Sequence, residues 1–248
     1  MPLNEQQKNR YARHLVLEGV GEEGQEKLLK AKVLVIGTGG LGSPILMYLT
    51  AAGVGHIGIV DCDNVDESNL QRQIIHANEN IGRSKVESAK ESILRMNPYT
   101  DVKTYETRIN KDNIEDIIKD YDIIVEATDN FDAIFTINDA CVKLKKPFVH
   151  AGVVEIHGQL MTYVPDKGPC YRCVFNSPPP QNEVKTCKDI GVLGAMVGII
   201  GSMQALEVIK YITGVGELLT GRMMIVDGLT MKARTINLHK DPNCKACH

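Results

Sequence analysis

The chain has 248 residues, 43% hydrophobic and 24% charged, so it can bury a sizeable core as one large domain or as one domain with an appended piece. Its formal net charge of −3 at pH 7 argues against a strongly basic nucleic-acid surface. Residues 1–7 lack the basic and apolar regions of a secretory signal, and the longest apolar run, about 192–203, is too short to cross about 30 Å of hydrocarbon. We therefore expect a cytoplasmic protein that binds neither nucleic acid nor membrane.

The first predicted elements form a strand, a turn and a helix. An amphipathic region, about 5–29, precedes the β-branched, apolar run Lys32–Ile36, which predicts a buried parallel strand. An apolar helix is expected at 41–52. A second strand is expected at 56–60.

The turn between the first strand and its helix is rich in glycine and has the pattern G-x-G-x-x-G. Gly37 permits the tight turn, Gly39 (next to Gly40) lets the backbone approach a phosphate, and Gly42 allows the helix to pack closely on the strand. The amino terminus of the helix would then face an anion. The unit predicts a site for nucleotide phosphates, although as a bare pattern it could be a chance loop.

The most informative segment is the polar loop 68–73, which follows the second strand. It carries Asn69, Arg72 and two glutamines, more donors than nucleotide binding alone usually needs, so it suggests chemistry on the phosphates. Before the loop, the second strand delivers Asp61 at about the spacing of the acidic residue that hydrogen-bonds a ribose hydroxyl in dinucleotide-binding folds.

The later elements alternate between helices and strands. Alternation of this kind predicts a doubly wound, mostly parallel α/β sheet. From about residue 158 the pattern changes to alternating runs that predict an antiparallel extension. Helices are expected at 84–96 (capped by Ser84), 113–118, 132–143 and 191–212, and strands at 102–105, 123–127, 148–151, 159–164, 223–226 and 233–238.

Four of the seven cysteines form two C-x-x-C pairs, Cys170 with Cys173 and Cys244 with Cys247. Each pair follows a turn that can present two thiolates to one ion, and four sulfurs suit tetrahedral Zn²⁺. Such a closed site has no position for a substrate, so we expect structural zinc that ties the C-terminal tail to the middle of the chain. The alternative is two unrelated reduced pairs.

Taken together, these motifs resemble the MoeB/ThiF/HesA family, the prokaryotic relatives of ubiquitin-activating enzymes. The resemblance covers about residues 10–247. Its motifs occur in the order and spacing of the family: the segment 10–13, the glycine turn, Asp61 and Asp63, the loop 68–73, the segments 82–85 and 127–130, both C-x-x-C pairs, and Thr186-Cys187.

The resemblance implies an ATP-dependent adenylyltransferase that acts on the C-terminal Gly-Gly of a small ubiquitin-fold sulfur-carrier protein, usually as a homodimer. No rhodanese-like extension follows Cys247, so the chain resembles the short form. A single ThiF-type domain is expected over 1–248, with an N-terminal helical region (1–30), a nucleotide-binding half (31–157) and a carrier-binding and zinc-binding half (158–248).

Site roles follow from the resemblance residue by residue. Arg72 and Lys85 would contact the phosphates, and Arg13 would reach in from the partner subunit toward the leaving pyrophosphate. Asp129 would hold Mg²⁺. The remaining contacts would come from Asn69 and Gln73 on phosphate oxygens, Asp61 on the ribose hydroxyls, and Asp63 near the reacting carboxylate or metal.

Other interpretations of these residues stay open. Arg13 could lie on a solvated helix face, Lys85 could be an ordinary exposed lysine, and Asp129 could cap a helix. In some family members the cysteine that matches Cys187 joins the carrier covalently, whereas in others adenylation proceeds without it. Cys62 and Cys141 are expected in the core, and His76, His150 and His157 are expected to be structural.

Two other functions are alternatives to adenylation. A nicotinamide-dependent oxidoreductase would explain the glycine turn and Asp61, but neither the loop 68–73 nor Lys85. A non-catalytic, zinc-stapled binding protein would be expected to lack the phosphate contacts that Arg72, Lys85 and Asp129 supply. The sequence does not distinguish a thiamine carrier from a molybdopterin carrier, and a cysteine desulfurase or another sulfur donor is the further expected partner.

Overall fold

The structure is a computed structural model, and it describes residues 2–180 and 190–248. In chain order its helices and strands are α1 (Glu5–Arg10), α2 (Ala12–Leu15), α3 (Gly21–Lys30), β1 (Lys32–Ile36), α4 (Gly42–Ala52), β2 (His56–Asp61), α5 (Lys85–Met96), β3 (Asp101–Glu106), α6 (Ile114–Ile118), β4 (Ile123–Glu126), α7 (Phe131–Lys143), β5 (Phe148–Val154), β6 (His157–Tyr163), α8 (Tyr171–Val174), α9 (Gly194–Thr213), β7 (Arg222–Asp227) and β8 (Lys232–Asn237).

The strands form one sheet in the order β3-β2-β1-β4-β5-β6-β7-β8. From β3 to β5 all neighbouring strands are parallel, and β6, β7 and β8 add an antiparallel extension. The predicted doubly wound sheet with an antiparallel end is therefore confirmed. Strand order reverses beside β1, because β1 pairs with both β2 and β4, and ligands of such sheets bind at the carboxyl ends of the strands next to this reversal.

The core lies on both faces of the sheet. Four of the five residues of β1 are buried, as the apolar run predicts for a parallel strand covered on two sides. One cluster packs β1 and β2 against α4, α5 and α9. The other packs the opposite face against α6, α7 and the C-terminal segment that contains Cys244. The site loops therefore emerge from strands β1, β2 and β4, most of whose residues are buried.

Helix α9 packs closely on the start of α4. A Cβ on Gly201 would lie 2.6 Å from the Leu41 carbonyl oxygen, so glycine there allows the two helices to approach closely. By length and composition alone, α9 is the one helix in the described ranges that could cross a membrane, and core helices pass the same test. Its polar residues Gln204 and Glu207 are buried against the sheet, which is the position of a core helix.

The amphipathic N-terminal region consists of three short helices, separated by Tyr11 and by residues 16–20. One detail differs from the sequence prediction. Ser84 does stand before α5, but its side chain makes no capping bond. Its backbone pairs instead with Asn64 in an isolated bridge, and its hydroxyl is buried with no partner among the described residues.

Candidate functional site

The glycine turn has the geometry that its sequence predicts. Gly37 has a φ of 98°, and a Cβ there would lie 2.6 Å from the Ala127 carbonyl oxygen, so the turn backs directly onto the loop after β4. A Cβ on Gly42 would overlap the carbonyl of Gly37. Both positions therefore require glycine, and the helix α4 begins immediately beyond the turn.

Asp61 and His76 hold this turn from two sides. The Asp61 carboxylate accepts hydrogen bonds from the backbone N–H and the hydroxyl of Thr38, both at 2.8 Å. His76 is buried between the Thr38 carbonyl oxygen (3.1 Å) and the Ser88 hydroxyl (2.8 Å). Burial lowers the pKa of His76, so the neutral ring is favoured. Asp61 Oδ1 accepts one bond, from the N–H of Asp63, and as a carboxylate oxygen it has room for a ribose hydroxyl.

Lys85 lies at the first residue of α5, where its charge opposes the helix dipole. Its side chain is only 8% exposed, and its ammonium donates to Asp63 at 3.1 Å. Partial burial raises the pKa of Asp63, but the charge and hydrogen bond of Lys85 outweigh this and lower that pKa overall. A buried cation at an unfavourable helix position indicates a role beyond helix stability, and an exposed-lysine interpretation does not fit it.

The polar loop 68–73 is a compact turn. Asn69 completes a capping box with Asp66, and an Nη1 of Arg72 donates to the Ser68 carbonyl oxygen at 3.1 Å. Gln73 is buried, and its Oε1 has no hydrogen-bond partner within the described chain. Its Nε2 lies 3.5 Å from where a Cβ on Gly39 would be, so the loop lies against the glycine turn.

Asp129 lies in the loop after β4 with an exposed side chain. The next residue, Asn130, accepts a hydrogen bond from the Ala133 N–H at 3.0 Å and is the residue that caps α7. Asp129 is therefore not needed as the cap. Since the preceding Ala127 contacts Gly37, this carboxylate belongs to the same sheet edge as the glycine turn.

Arg13 is not brought to this edge within one chain. Its neighbour Tyr11 lies where a Cβ on Gly53 would fall, beyond the carboxyl end of α4, and Tyr11 also accepts a hydrogen bond from Asn97. The glycine turn is at the opposite end of α4, which has 11 residues and so is about 16 Å long.

The two C-x-x-C pairs come together in one cluster. The Sγ atoms of Cys170 and Cys244 are 3.6 Å apart, those of Cys173 and Cys247 are 3.4 Å apart, and all four lie within 4.8 Å of one another. Four sulfurs at about 2.3 Å from a tetrahedral zinc would be about 3.8 Å apart, so the donor set fits that ion. Two unrelated pairs would not converge in this way.

The three remaining cysteines had separate predictions, which have different outcomes. Cys141 is fully buried, as predicted, and burial raises the pKa of its thiol. The core prediction for Cys62 is wrong, because Cys62 follows the end of β2 and is exposed between Asp61 and Asp63. Partial burial and the Asp63 carboxylate raise the pKa of the Cys62 thiol. Cys187 lies outside the described residues, so its role stays a prediction.

One pair of ionisable side chains near the site was missed by sequence reasoning. Glu126, the last residue of β4, is fully buried and lies 2.6 Å from the buried His150 on β5. A glutamate inside an apolar strand was the available signal, because a buried carboxylate needs partners. His157, by contrast, makes an exposed contact with Asp227 at 3.4 Å.

Comparison with known proteins gives a match over nearly the whole chain. The model of the ThiF family matches residues 11–246. Over 246 residues the chain is 46% identical to the adenylyltransferase and sulfurtransferase MOCS3 of Culex quinquefasciatus, covering 99% of this chain and 56% of that protein. Over 245 residues it is 46% identical to the probable adenylyltransferase/sulfurtransferase MoeZ of Mycobacterium tuberculosis, covering 97% of this chain and 62% of that protein. The chain thus spans little more than half the length of these curated relatives.

Solved structures of MccB share the fold. E. coli MccB with ATP has a TM-score of 0.87 and 26% identity, over 99% of this chain and 75% of that chain. MccB in complex with N-formylated MccA has a TM-score of 0.88 and 25% identity, over 100% of this chain and 77% of that chain.

Proposed function

Because the chain belongs to the ThiF family, we propose that it is an adenylyltransferase that uses ATP to activate the C-terminal glycine carboxylate of a small ubiquitin-fold sulfur-carrier protein. The names of the relatives, MOCS3 and MoeZ, support adenylyl transfer. The carrier follows from the motif resemblance, and the sulfurtransferase activity in those names is not part of the proposal.

The observation that carries the proposal is the convergence of four separate segments on one sheet edge. The glycine turn, the loop that carries Arg72, the buried Lys85 and the loop that carries Asp129 all lie around the carboxyl ends of β1, β2 and β4. A phosphate site needs glycines, which let the backbone approach the phosphate, and cations. Attack of an anionic carboxylate on an anionic phosphate needs the glycines and the cations in the same place.

In the reaction a carboxylate oxygen of the carrier attacks the α-phosphorus of ATP. A bond forms from that oxygen to phosphorus, the bond to the bridging oxygen breaks, and pyrophosphate leaves. Arg72, with its planar set of donors, and Lys85, as a point charge, neutralise the phosphates so that the two anions can approach. Asn69 and Gln73 orient phosphate oxygens, and Asp61 accepts from the ribose hydroxyls. Asp63, paired with Lys85, lies next to the reacting groups.

Asp129 fits a magnesium ligand, because its carboxylate is exposed at the phosphate-binding edge and is free of the capping role that Asn130 fills. Asp129 would hold Mg²⁺ there, and the ion would supply positive charge that offsets the charge of the phosphates. The protein's part is to hold this carboxylate in a fixed direction.

Arg13 would act from a second copy of the chain. Since Tyr11 and its neighbours pack at the far end of α4, a homodimer is needed to bring Arg13 to the leaving pyrophosphate. The four-cysteine cluster would hold structural Zn²⁺. With all four positions taken by Cys170, Cys173, Cys244 and Cys247, zinc would stabilise the fold and leave the chemistry to the other edge.

The wider setting of the enzyme follows the same reasoning. We place it in the cytoplasm, in sulfur transfer for thiamine or molybdopterin cofactor biosynthesis, with a cysteine desulfurase or another sulfur donor to discharge the acyl-adenylate. Cys187 is a candidate for a covalent carrier adduct.

The test is exchange of labelled pyrophosphate into ATP by the purified protein with Mg²⁺, run with a thiamine-type and a molybdopterin-type carrier in parallel. Exchange that needs a carrier with an intact C-terminal glycine supports the proposal and identifies the pathway. A carrier shortened by that glycine is the matched control. Heat protection by NAD but not by ATP, together with no exchange, would favour an oxidoreductase, and ATP protection without exchange would favour a non-catalytic binding protein.

A further inference from the structure

A buried pair of ionisable side chains lies directly behind the loop that carries Asp129. Glu126 is 0% exposed and His150 is 1% exposed. The two residues face each other in the register of β4 and β5, and Glu126 Oε2 lies 2.6 Å from His150 Nδ1. Because the carboxylate accepts, Nδ1 carries the hydrogen of this bond.

The other oxygen of Glu126 turns back onto its own loop. Oε1 accepts hydrogen bonds from the Thr128 backbone N–H at 2.7 Å and from the Thr128 hydroxyl at 2.6 Å. The backbone carbonyl of Glu126 accepts in turn from Gln204 Nε2 on α9, at 2.8 Å. The side chain of Glu126 thus fixes Thr128, the residue immediately before Asp129, and the bond from Gln204 holds the backbone of Glu126 itself.

A buried carboxylate is a costly way to stabilise a strand end. An apolar side chain of similar volume is often as stabilising as a buried charged pair. His150 adds to the cost, because its Nε2 has no hydrogen-bond partner among the described residues and its ring packs 4.6 Å from the ring of Tyr171. What Glu126 supplies, and an apolar side chain would not, is a carboxylate that accepts two hydrogen bonds from Thr128 and is itself held by His150.

We infer that Glu126 and His150 are positioning residues that hold Thr128 so that the Asp129 carboxylate faces the nucleotide phosphates. The inference rests on the proposed function, in which Asp129 is the magnesium ligand. Neither residue touches the nucleotide; each acts through the backbone that it fixes. Hydrogen-bonding partners behind a metal ligand orient that ligand, and their loss weakens metal affinity about 10- to 100-fold.

The experiment measures how much Mg²⁺ tightens ATP binding. Isothermal titration gives the ratio of the ATP dissociation constant in EDTA to that in Mg²⁺, for the full chain and its variants. Asp129→Asn should bring the ratio close to one. Glu126→Ala should lower it by about tenfold or more. Thr128→Val, which removes one of the two loop bonds, should give an intermediate ratio, and it decides the question alone if Glu126→Ala does not fold.

Glu207→Ala is the matched control. Glu207 is also a buried carboxylate, 3% exposed, that accepts from a side chain and a backbone N–H, those of Thr162 and Leu219. It also pairs with Lys210, and none of these three partners belongs to the Asp129 loop. It should lose thermal stability, as Glu126→Ala does, and keep the wild-type ratio. If Thr128→Val and folded Glu126→Ala both keep the wild-type ratio while Asp129→Asn brings it close to one, the inference about Glu126 and His150 is wrong. The assignment of Asp129 would then still stand. A wild-type protein whose ATP affinity does not depend on Mg²⁺ would overturn the assignment of Asp129 and the inference with it.

Discussion

Replacing Lys85 by methionine should separate catalysis from stability. The Lys85 side chain is only 8% exposed, and methionine keeps its buried aliphatic part while it removes the charge. The lost ion pair is with Asp63, whose side chain is 58% exposed, so water can solvate the freed carboxylate. An ion pair whose carboxylate is open to water contributes about 0–1 kcal/mol to stability, so the free energy of unfolding should change by no more than that.

The catalytic effect of the same change should be much larger. A fixed charge that acts on the phosphates in the transition state is worth about 10²- to 10³-fold in rate, or about 2.7–4 kcal/mol. Carrier-dependent pyrophosphate exchange should therefore fall by about that factor, while the Tm stays near that of the wild type. Lys90→Met, on the same helix, is the control. Exchange in Lys85→Met that equals exchange in Lys90→Met would refute the role of Lys85.

Three further predictions follow from the site and its supports. Arg13→Ala and Arg72→Ala should each abolish exchange, and mixing the two inactive proteins should restore part of it if Arg13 serves the partner's site; no restoration after subunit exchange would place Arg13 elsewhere. Cys170→Ser should remove zinc, measured by atomic emission, and lower the Tm, whereas Cys62→Ser, an exposed thiol outside the cluster, should do neither; a zinc-free wild-type protein would contradict the assignment. Since burial lowers the pKa of folded His76 below the unfolded value of 6.5, the unfolded state binds more protons, and stability should fall as the pH drops below 6.5. His76→Gln should reduce that slope in urea titrations at several pH values, and an unchanged slope would contradict a lowered pKa of folded His76.

The sheet was predictable from the sequence because its signals are local. The run Lys32–Ile36 is apolar and β-branched, and it is followed by glycines in the pattern of a strand–turn–helix unit, so strand, turn and helix could all be recognised. Alternating helices and strands leave few arrangements open, so a doubly wound, mostly parallel sheet could be predicted, whereas its strand order comes from the structure.

The parts that sequence reasoning missed depend on contacts between distant segments. Cys62 looks like a core residue beside the apolar run of β2, but the strand ends at Asp61 and the chain turns out to solvent. Ser84 has the residue type of a helix cap, yet its backbone pairs with that of Asn64, which lies well before it in the chain. Glu126 gains its partner from β5, which no local pattern reveals.

The candidate site shows the same division. Side-chain types predicted which residues could bind phosphate, and the topology then brought Asp61, Lys85 and Asp129 to one edge. Arg13 is the exception, because its helix packs at the other end of α4 and its predicted role depends on a second chain.

The most direct test of the account is to look for the product on the carrier itself. The carrier is incubated with this protein, Mg²⁺ and ATP labelled at the α-phosphate, quenched in acid, and analysed by intact mass spectrometry and radiometry. Carboxylate adenylation predicts that labelled AMP is joined to the C-terminal glycine of the carrier. The label should be absent with Arg72→Ala and absent from a carrier whose terminal glycine is removed. ATP turnover that leaves every tested carrier unlabelled, or label that persists without the terminal glycine, would contradict carboxylate adenylation.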